Sequence, residues 1–460
     1  YTDPDLRRDA SENMMLFAEH TWGHSASVSD PFSSLVKEMH MKKMAYAANA
    51  NNAANGMLDG VLAGLGNRTI RPERPGRVRV VNPYPFPASL PAAAPMLGWE
   101  YPEGTAQKAL PLALRDMETG KLLPTQTGRG PRGLLAEAVL DMTSGESREL
   151  KLEYAAPEQK TALHIPGMCA DAMTDQKGIA GLAMPEYIET DCFVIRTDAV
   201  KGIASIRDRR SGQELADPAG RYGAFTCLYM VTPAIGPVCS FRRQMGRRRE
   251  TVNTRQYAAR PMRFSIADRG DVSVTLHIDY DLEGTAGCTL DLKVYRRIPR
   301  MDARLRIRKT CCLDPEEIQL VLPFMTDGNN ETWIDKTGCV IRPGLDQLPG
   351  TCQAYWCLQN GIVRRGKSFD LLIASPDVPL VSFGEGEKGP VTLCDGQSAE
   401  LNRGEIRSRL MNNFWETNFA ADLGGWHEFR YIIALEKPDE PEKQLRRCEA
   451  MAVGAAVIEM

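Results

Sequence analysis

The sequence predicts a mainly β protein with an N-terminal helical bundle, and three observations predict it. Apolar residues recur at helical spacing up to about residue 66 and with a period of two from about residue 165 onward. Between them lies a stretch of short strand patterns punctuated by proline and glycine. At 460 residues the chain is also too long for one ordinary core. The expected units are a helical bundle segment at 1–68, a small β-sandwich at 72–160 and a large two-sheet β-sandwich at 165–460.

In the first unit Met14, Met15 and Phe17 stand among polar residues. Ser29-Asp30-Pro31 then offers an N-cap followed by proline at the first helical position, a start signal for the next helix. Phe32, Leu35, Met39, Met44 and Ala47 or Ala48 trace its apolar stripe, which runs on through an alanine-rich stretch to Leu62. The segment AYAANANNAANG is dense in small residues, which let another helix approach closely. Gly64 and Gly66 end the helix.

The chain changes character at Arg71-Pro-Glu-Arg-Pro-Gly76. Val78 and Val80 alternate with arginines, and Leu150, Leu152 and Tyr154 alternate with charged residues, as short strands do. In the last unit Val272, Val274, Leu276 and Ile278 share one face of a strand. Met301, Ala303, Leu305 and Ile307 share another, opposite Asp302, Arg304, Arg306 and Arg308. Such strands recur to Leu435 without a regular helical interruption, which calls for a sandwich larger than an immunoglobulin domain.

Composition narrows the function classes. The net charge of −3 gives no global basic field for nucleic acid or an anionic membrane. The dense basic run from Arg242 to Arg249 reads as a solvated loop or strand edge. No stretch approaches the roughly 18–20 apolar residues of a membrane span, and the opening YTDPDLRRDA is not a signal peptide pattern. All 12 cysteines fall between Cys169 and Cys448, without a CxxC pair, and Cys311 and Cys312 are adjacent. Reduced, mostly buried thiols and a cytoplasmic location are expected.

Two strings carry possible chemistry. EHTWGH, residues 19–24, places Glu19, His20 and His24 together, residue types that ligate zinc. Gly23 interrupts the turn and HExxH is absent, so a hydrogen-bonded corner before a helix fits equally. LMNNFWETNF, residues 410–419, interleaves Asn412, Asn413, Glu416, Thr417 and Asn418 with Phe414, Trp415 and Phe419. Aromatic faces flanked by amides and a carboxylate suit a sugar, and they also suit a strand whose aromatics are core. Residues 353–360, with Tyr355 and Trp356, carry the same ambiguity, and Asp346, Glu385, Glu387 and Glu416 are candidate carboxylates with no evident pairing. No GxSxG, Walker motif, GxGxxG after a strand or supported Cys–His pair is present.

Four stretches, in order along nearly the whole chain, resemble the C-terminal region of glycoside hydrolase family 38, the α-mannosidase family. They are LFAEHTWG at 16–23, VRVVNPYPF at 78–86, VKGIASIRDRRSGQELAD at 200–217 and MNNFWETNF at 411–419. The resemblance implies that the large unit is a galactose-mutarotase-like β-supersandwich. It implies a retaining mechanism whose aspartate nucleophile, acid and most zinc ligands lie in an N-terminal α/β barrel domain outside this chain. His20 matches the family's remaining zinc ligand by position, with Glu19 supporting it. Where family members commonly show His-Asp-x-x-x-G, this chain has His20-Thr21-Trp22-Gly23. The expected function is therefore the non-catalytic C-terminal portion of an α-mannosidase-like hydrolase, inactive alone and without tightly bound zinc. Its expected partners are a mannose-containing glycan and the N-terminal catalytic domain, with Trp415, Glu416 and Asn418 lining the cleft, and neither nucleic acid nor membrane. The alternative is a stand-alone carbohydrate-binding or scaffolding protein. Mutarotase-like catalysis would need His277 or His427 paired with a carboxylate in a cleft.

Overall fold

Two helices open the chain, and β-sheets build almost all of the rest. The computed structural model describes residues 3–20, 22–66, 76–97, 111–130, 133–155, 187–237, 240–241, 253–384, 397–414 and 418–460. Helix α1 (Pro4–Ala18) begins where the Asp3 carboxylate accepts the backbone N–H of Asp5 at 2.9 Å, with proline in its first turn. Helix α2 (Ser34–Gly64) starts after Ser33, later than the expected cap at Ser29-Asp30-Pro31. Those residues instead follow a 3₁₀ turn at Ser25–Ser27, and the Asp30 carbonyl accepts the Ser33 hydroxyl at 3.0 Å. The intervening residues are needed to reverse the chain before α2 can begin. Gly66, at φ +98°, follows its end.

The small residues of α2 face α1. Val36, Ala50 and Ala53 are buried, and a Cβ on Gly56 would stand 3.3 Å from Leu6 Cδ1. The stripe read as the buried face of α2 points outward: Phe32, Leu35, Met39 and Met44 are 36–54% exposed. Helix α1 covers the alanine face, which brings the two backbones closer than a methionine face would.

The small β unit pairs a four-stranded with a three-stranded sheet. The first runs Ala456–Glu459, Arg77–Val81, Ser147–Tyr154, Leu112–Asp116; the second runs Ala88–Leu97, Gly133–Met142, Gln126–Gly130. Val78, Val80, Leu114, Leu140, Leu150 and Leu152 fill the space between them. Buried Asn82 fixes the entry turn: its amide donates to the carbonyls of Phe86 (3.0 Å) and Thr143 (2.8 Å). The strand Ala456–Glu459, within the stretch grouped by sequence with the large unit, crosses back to pair with Arg77–Val81. Four residues carry too short a pattern to assign a sheet.

The large unit sets a nine-stranded antiparallel sheet against a six-stranded one. The first runs Arg260–Arg269, Ser273–Asp281, Thr285–Tyr295, Arg300–Lys309, Gly425–Glu436, Asp370–Ala374, Gly361–Arg364, Thr332–Lys336, Cys339–Ile341. The second runs Arg255–Ala258, Thr226–Val231, Glu316–Leu322, Ile406–Asn412, Leu380–Phe383, Trp356–Cys357. The apolar faces read from the sequence are the ones buried: Val272, Val274, Leu276 and Ile278 are at most 5% exposed, and Met301, Ala303, Leu305 and Ile307 at most 2%. A smaller sheet (Tyr187–Glu189, Phe193–Asp198, Gly202–Asp208) joins this core through Ile203 and Ile206, and its chain turns through Gly212 at φ +75°.

After the short helix α3 (Ala399–Arg403), α4 (Pro441–Val453) packs Leu445 and Cys448 onto Val363, Leu372, Ala374 and Ile432, on the outer face of the nine-stranded sheet. The small unit meets the same sheet. Gln126 Oε1 accepts the backbone N–H of Ser273 at 2.8 Å, and Lys293 pairs with Glu137. All nine described cysteines are free, and Cys192, Cys227, Cys288 and Cys448 are buried. No described helix is long and apolar enough to cross a membrane.

Candidate functional site

The two strings singled out in the sequence meet, although they come from opposite ends of the chain. Residues 19–24 leave the end of α1, where Lys43 of α2 donates to the Leu16 carbonyl at 2.7 Å and to Glu19 at 2.5 Å. Lys43 is 5% exposed, so its ammonium closes a helix end that would otherwise leave carbonyls unpaired. Trp22 then lies edge-on to Phe17 (centroids 5.4 Å apart) and to His40 (6.0 Å), and stacks on Phe419 at 6.3 Å with 16° between planes. Gly23 sits directly on the backbone of Asn418, where a Cβ would fall 2.4 Å from the carbonyl oxygen. Burial and then the neighbouring Lys37 hold His40 below its ordinary pKa, so it is neutral at physiological pH.

The loop carrying Asn418 is held from beneath. Asn413 is 1% exposed; its Oδ1 accepts the N–H of Glu316 at 2.6 Å, and its amide donates to the carbonyls of Asp314 (3.0 Å) and Ala421 (2.6 Å). Asn413 thus buckles the loop shut at its base. Asn418 itself stands at φ +32°, in the left-handed region that asparagine tolerates better than most residues.

The other sequence candidates are placed as follows. His20 is exposed just beyond α1, and Glu19 faces Lys43. Among the described residues no group of three or more His, Cys, Asp or Glu side chains could hold a metal ion. His24 is a cap: its Nδ1 accepts the N–H of Ala26 at 3.1 Å. Trp415 and Glu416 lie outside the described residues, as do Glu385, Glu387 and the basic run at 242–249. Trp356 is core, 1% exposed, donating to Gln347 at 2.7 Å and lying edge-on to Phe383. Asp346 pairs with Arg342 at 2.8 Å. Lys43 was not singled out by sequence; its one signal is a lysine on the small-residue face of α2.

His277 has the carboxylates a mutarotase-like site would need, but in a different setting. It points to the outer face of the nine-stranded sheet, with Nδ1 2.6 Å from Asp291 and Nε2 3.2 Å from Asp279. The chain of charges continues across strands to Arg263 (2.6 Å from Asp279), Arg306 (3.1 Å from Asp291) and Glu428. Neither His277 nor His427 lines the large cleft beside α4. Burial lowers the His277 pKa, but the hydrogen bonds and charges of Asp279 and Asp291 outweigh it and push the pKa up to about 9. A folded-state pKa above the unfolded value favours folding fully below about pH 6.5, and that contribution is lost as the pH rises toward 9. His277→Gln is expected to lose about 2 kcal/mol of stability at pH 6 after allowing for partial solvent screening. It should lose little above pH 9.5. Urea titrations of both proteins at several pH values check this; a pH-independent difference would reduce His277 to packing.

No protein-family model matches the chain, and no curated protein matches it significantly. Solved structures do. The crystal structure of an alpha-mannosidase from Enterococcus faecalis V583 aligns over 99% of this chain and 53% of its own, at 12% identity and a TM-score of 0.60. A protein in glycosyl hydrolase family 38 from Enterococcus faecalis aligns over 99% of this chain and 55% of its own, at 13% identity and a TM-score of 0.59. A galactose mutarotase related enzyme from Lactobacillus acidophilus aligns over 55% of this chain and 98% of its own, at 10% identity; its TM-score of 0.28 supports no assignment. The chain has the fold of the family 38 structures and spans about half their length, consistent with a C-terminal region of such a protein.

Proposed function

We propose that this chain is the non-catalytic C-terminal portion of a glycoside hydrolase resembling the family 38 α-mannosidases, and that it completes an active site carried by a preceding α/β barrel domain. The observation that carries this reading is the outer surface of the helical hairpin. Eleven of the 21 exposed large apolar side chains among the described residues fall between Met14 and Leu65, Met14, Met15, Leu35, Met41 and Met44 among them. Apolar surface so concentrated marks a contact with another protein surface. A two-helix hairpin with its methionine face uncovered is half of a bundle.

In this reading the junction of residues 19–24 with 418–419 lies at the rim of that contact. His20 supplies one zinc ligand, the others coming from the barrel domain. A bound zinc would hold sugar hydroxyls and neutralise developing charge. Lys43 and the Trp22 stack fix the segment that presents His20, while Asn418, with Trp415 and Glu416, reaches a mannose-containing glycan.

The test compares the chain alone with the polypeptide that includes its natural preceding segment. Hydrolysis of 4-nitrophenyl α-mannoside is expected only from the longer form. His20→Ala in that form should lower kcat/KM by about a hundredfold or more, together with its zinc content by elemental analysis. Hydrolysis by the chain alone, or full zinc and activity in His20→Ala, overturns the reading. Tight glycan binding by the chain alone, without activity in the longer form, would instead identify a carbohydrate-binding protein.

A further inference from the structure

A cleft lies away from the helical hairpin, where the small β unit, the end of the nine-stranded sheet and α4 converge. Its volume is about 720 Å³, within the usual range of small-molecule sites, and it sits at a junction of units, where such sites concentrate. The strand Gly425–Glu436 supplies the floor. Ile432, Ala434 and Glu436 alternate onto the face that α4 covers. Ile432 is roofed by Leu445 and Cys448, whereas Ala434 and Glu436 open into the cleft. The apolar pattern therefore stops at a carboxylate.

Glu436 is half-buried, and no lysine or arginine among the described residues comes within ion-pairing distance of it. Burial raises its pKa, with Arg447 and Arg210 near enough only to moderate the shift. Across the cleft Arg447 lies 4.9 Å over the Phe86 ring, which stacks in turn on Tyr84. Among the described residues Arg447 forms no ion pair; its guanidinium lies against an aromatic face with its edge left to donate. A carboxyl group and a guanidinium thus line the same open space, and among the described residues neither forms an ion pair.

The balance of charge selects the ligand class. Of the basic side chains at the cleft, Arg210 is engaged by Asp208 (3.1 Å) and Arg300 by Asp302 (2.7 Å). Arg447 and Lys437 remain, against Asp141 and Glu436. That lining is neutral in sum and suits neither an anion nor a cation. It suits a ligand whose groups both donate and accept, as vicinal hydroxyls do. Pro87, Pro299 and Met451 supply apolar wall for carbon–hydrogen faces.

We propose that this cleft is a second ligand site, binding a neutral polyhydroxylated molecule between Glu436 and Arg447. The proposal does not rest on the half-enzyme reading. Its test is saturation-transfer NMR on the whole chain, with glucose, mannose and maltose as neutral probes and glucuronate and glucosamine as charged ones. Hydrogen exchange on the same samples locates the site. Neutral probes are expected to bind and to protect residues 434–437 and 447–451. Arg447→Gln and Glu436→Gln should each weaken binding about tenfold, the loss of one hydrogen bond to a charged group. Arg447 lies on the half-exposed side of α4, so its variant carries the test if Glu436→Gln fails to fold. Absence of binding by every neutral probe, or preference for a charged one, overturns the proposal. Protection appearing only at 22–24 and 418–421 also overturns it, while leaving the half-enzyme reading standing.

Discussion

Lys309→Met is expected to destabilise the protein by about 3–5 kcal/mol, because it strands a carboxylate in the core. Lys309 and Glu316 are both 0% exposed by side chain, 2.8 Å apart, and Tyr229 donates to the same Glu316 oxygen at 2.7 Å. The second Glu316 oxygen is buried without a hydrogen-bond partner, so the pair is already incompletely satisfied. Removing the ammonium leaves the carboxylate with only neutral partners, the Tyr229 hydroxyl and the Cys312 thiol. Replacing both members, in Lys309→Met with Glu316→Leu, should recover most of the loss, since the desolvation of both charges then disappears. The single variant's deficit should shrink as the pH falls and the stranded carboxyl takes up a proton. Urea unfolding of both variants and the parent at two pH values measures all three expectations. Equal losses in the single and double variants would mean that packing, not charge, sets the cost. The backbone of Glu316 also holds Asn413, so the single variant should loosen the loop at 418–424 before the rest of the sandwich.

Much of this architecture is legible in the sequence because strand burial follows a period of two wherever one face is wet. Val274 to Ile278 and Met301 to Ile307 show it, and the turn at Gly212 is legible separately, because its φ of +75° favours glycine. Helix α2 shows where pattern reading fails. It carries two faces that can pack, one alanine-rich and one methionine-rich, and hydrophobicity points to the second while α1 takes the first. Steric fit, not hydrophobicity, chose between them. The candidate site failed differently. Both strings were visible, and so was each one's mixture of aromatic and polar groups. Their meeting depends on the path of the whole chain, which no local period encodes. Asn413 and Lys43 are single polar residues whose roles exist only through partners distant in sequence. The same holds for Glu436, which sequence spacing presents as one more charged strand terminus and the fold places in one cleft with Arg447.

Gly23→Ala should test that meeting most sharply, at a cost of about 2–3 kcal/mol. The added methyl would fall 2.4 Å from the Asn418 carbonyl oxygen, a backbone atom with no rotamer to yield. One of the two segments must withdraw, and Trp22 would leave Phe419 with it. Hydrogen exchange should therefore rise at residues 22–28 and 418–421, while the strands Ser273–Asp281 and Arg300–Lys309 keep their protection. Asn418→Gly acts on the other side of the same contact with the opposite sign. It relieves a left-handed backbone at φ +32° and should be neutral or stabilising by up to about 1 kcal/mol. Together the two variants separate position from chemistry. If the junction serves only to dock the hairpin, Gly23→Ala impairs activity of the longer polypeptide and Asn418→Gly does not. If the Asn418 amide reaches the glycan, Asn418→Gly raises KM in a protein at least as stable as its parent. Unchanged exchange in Gly23→Ala would show that the hairpin does not rest on the loop at all.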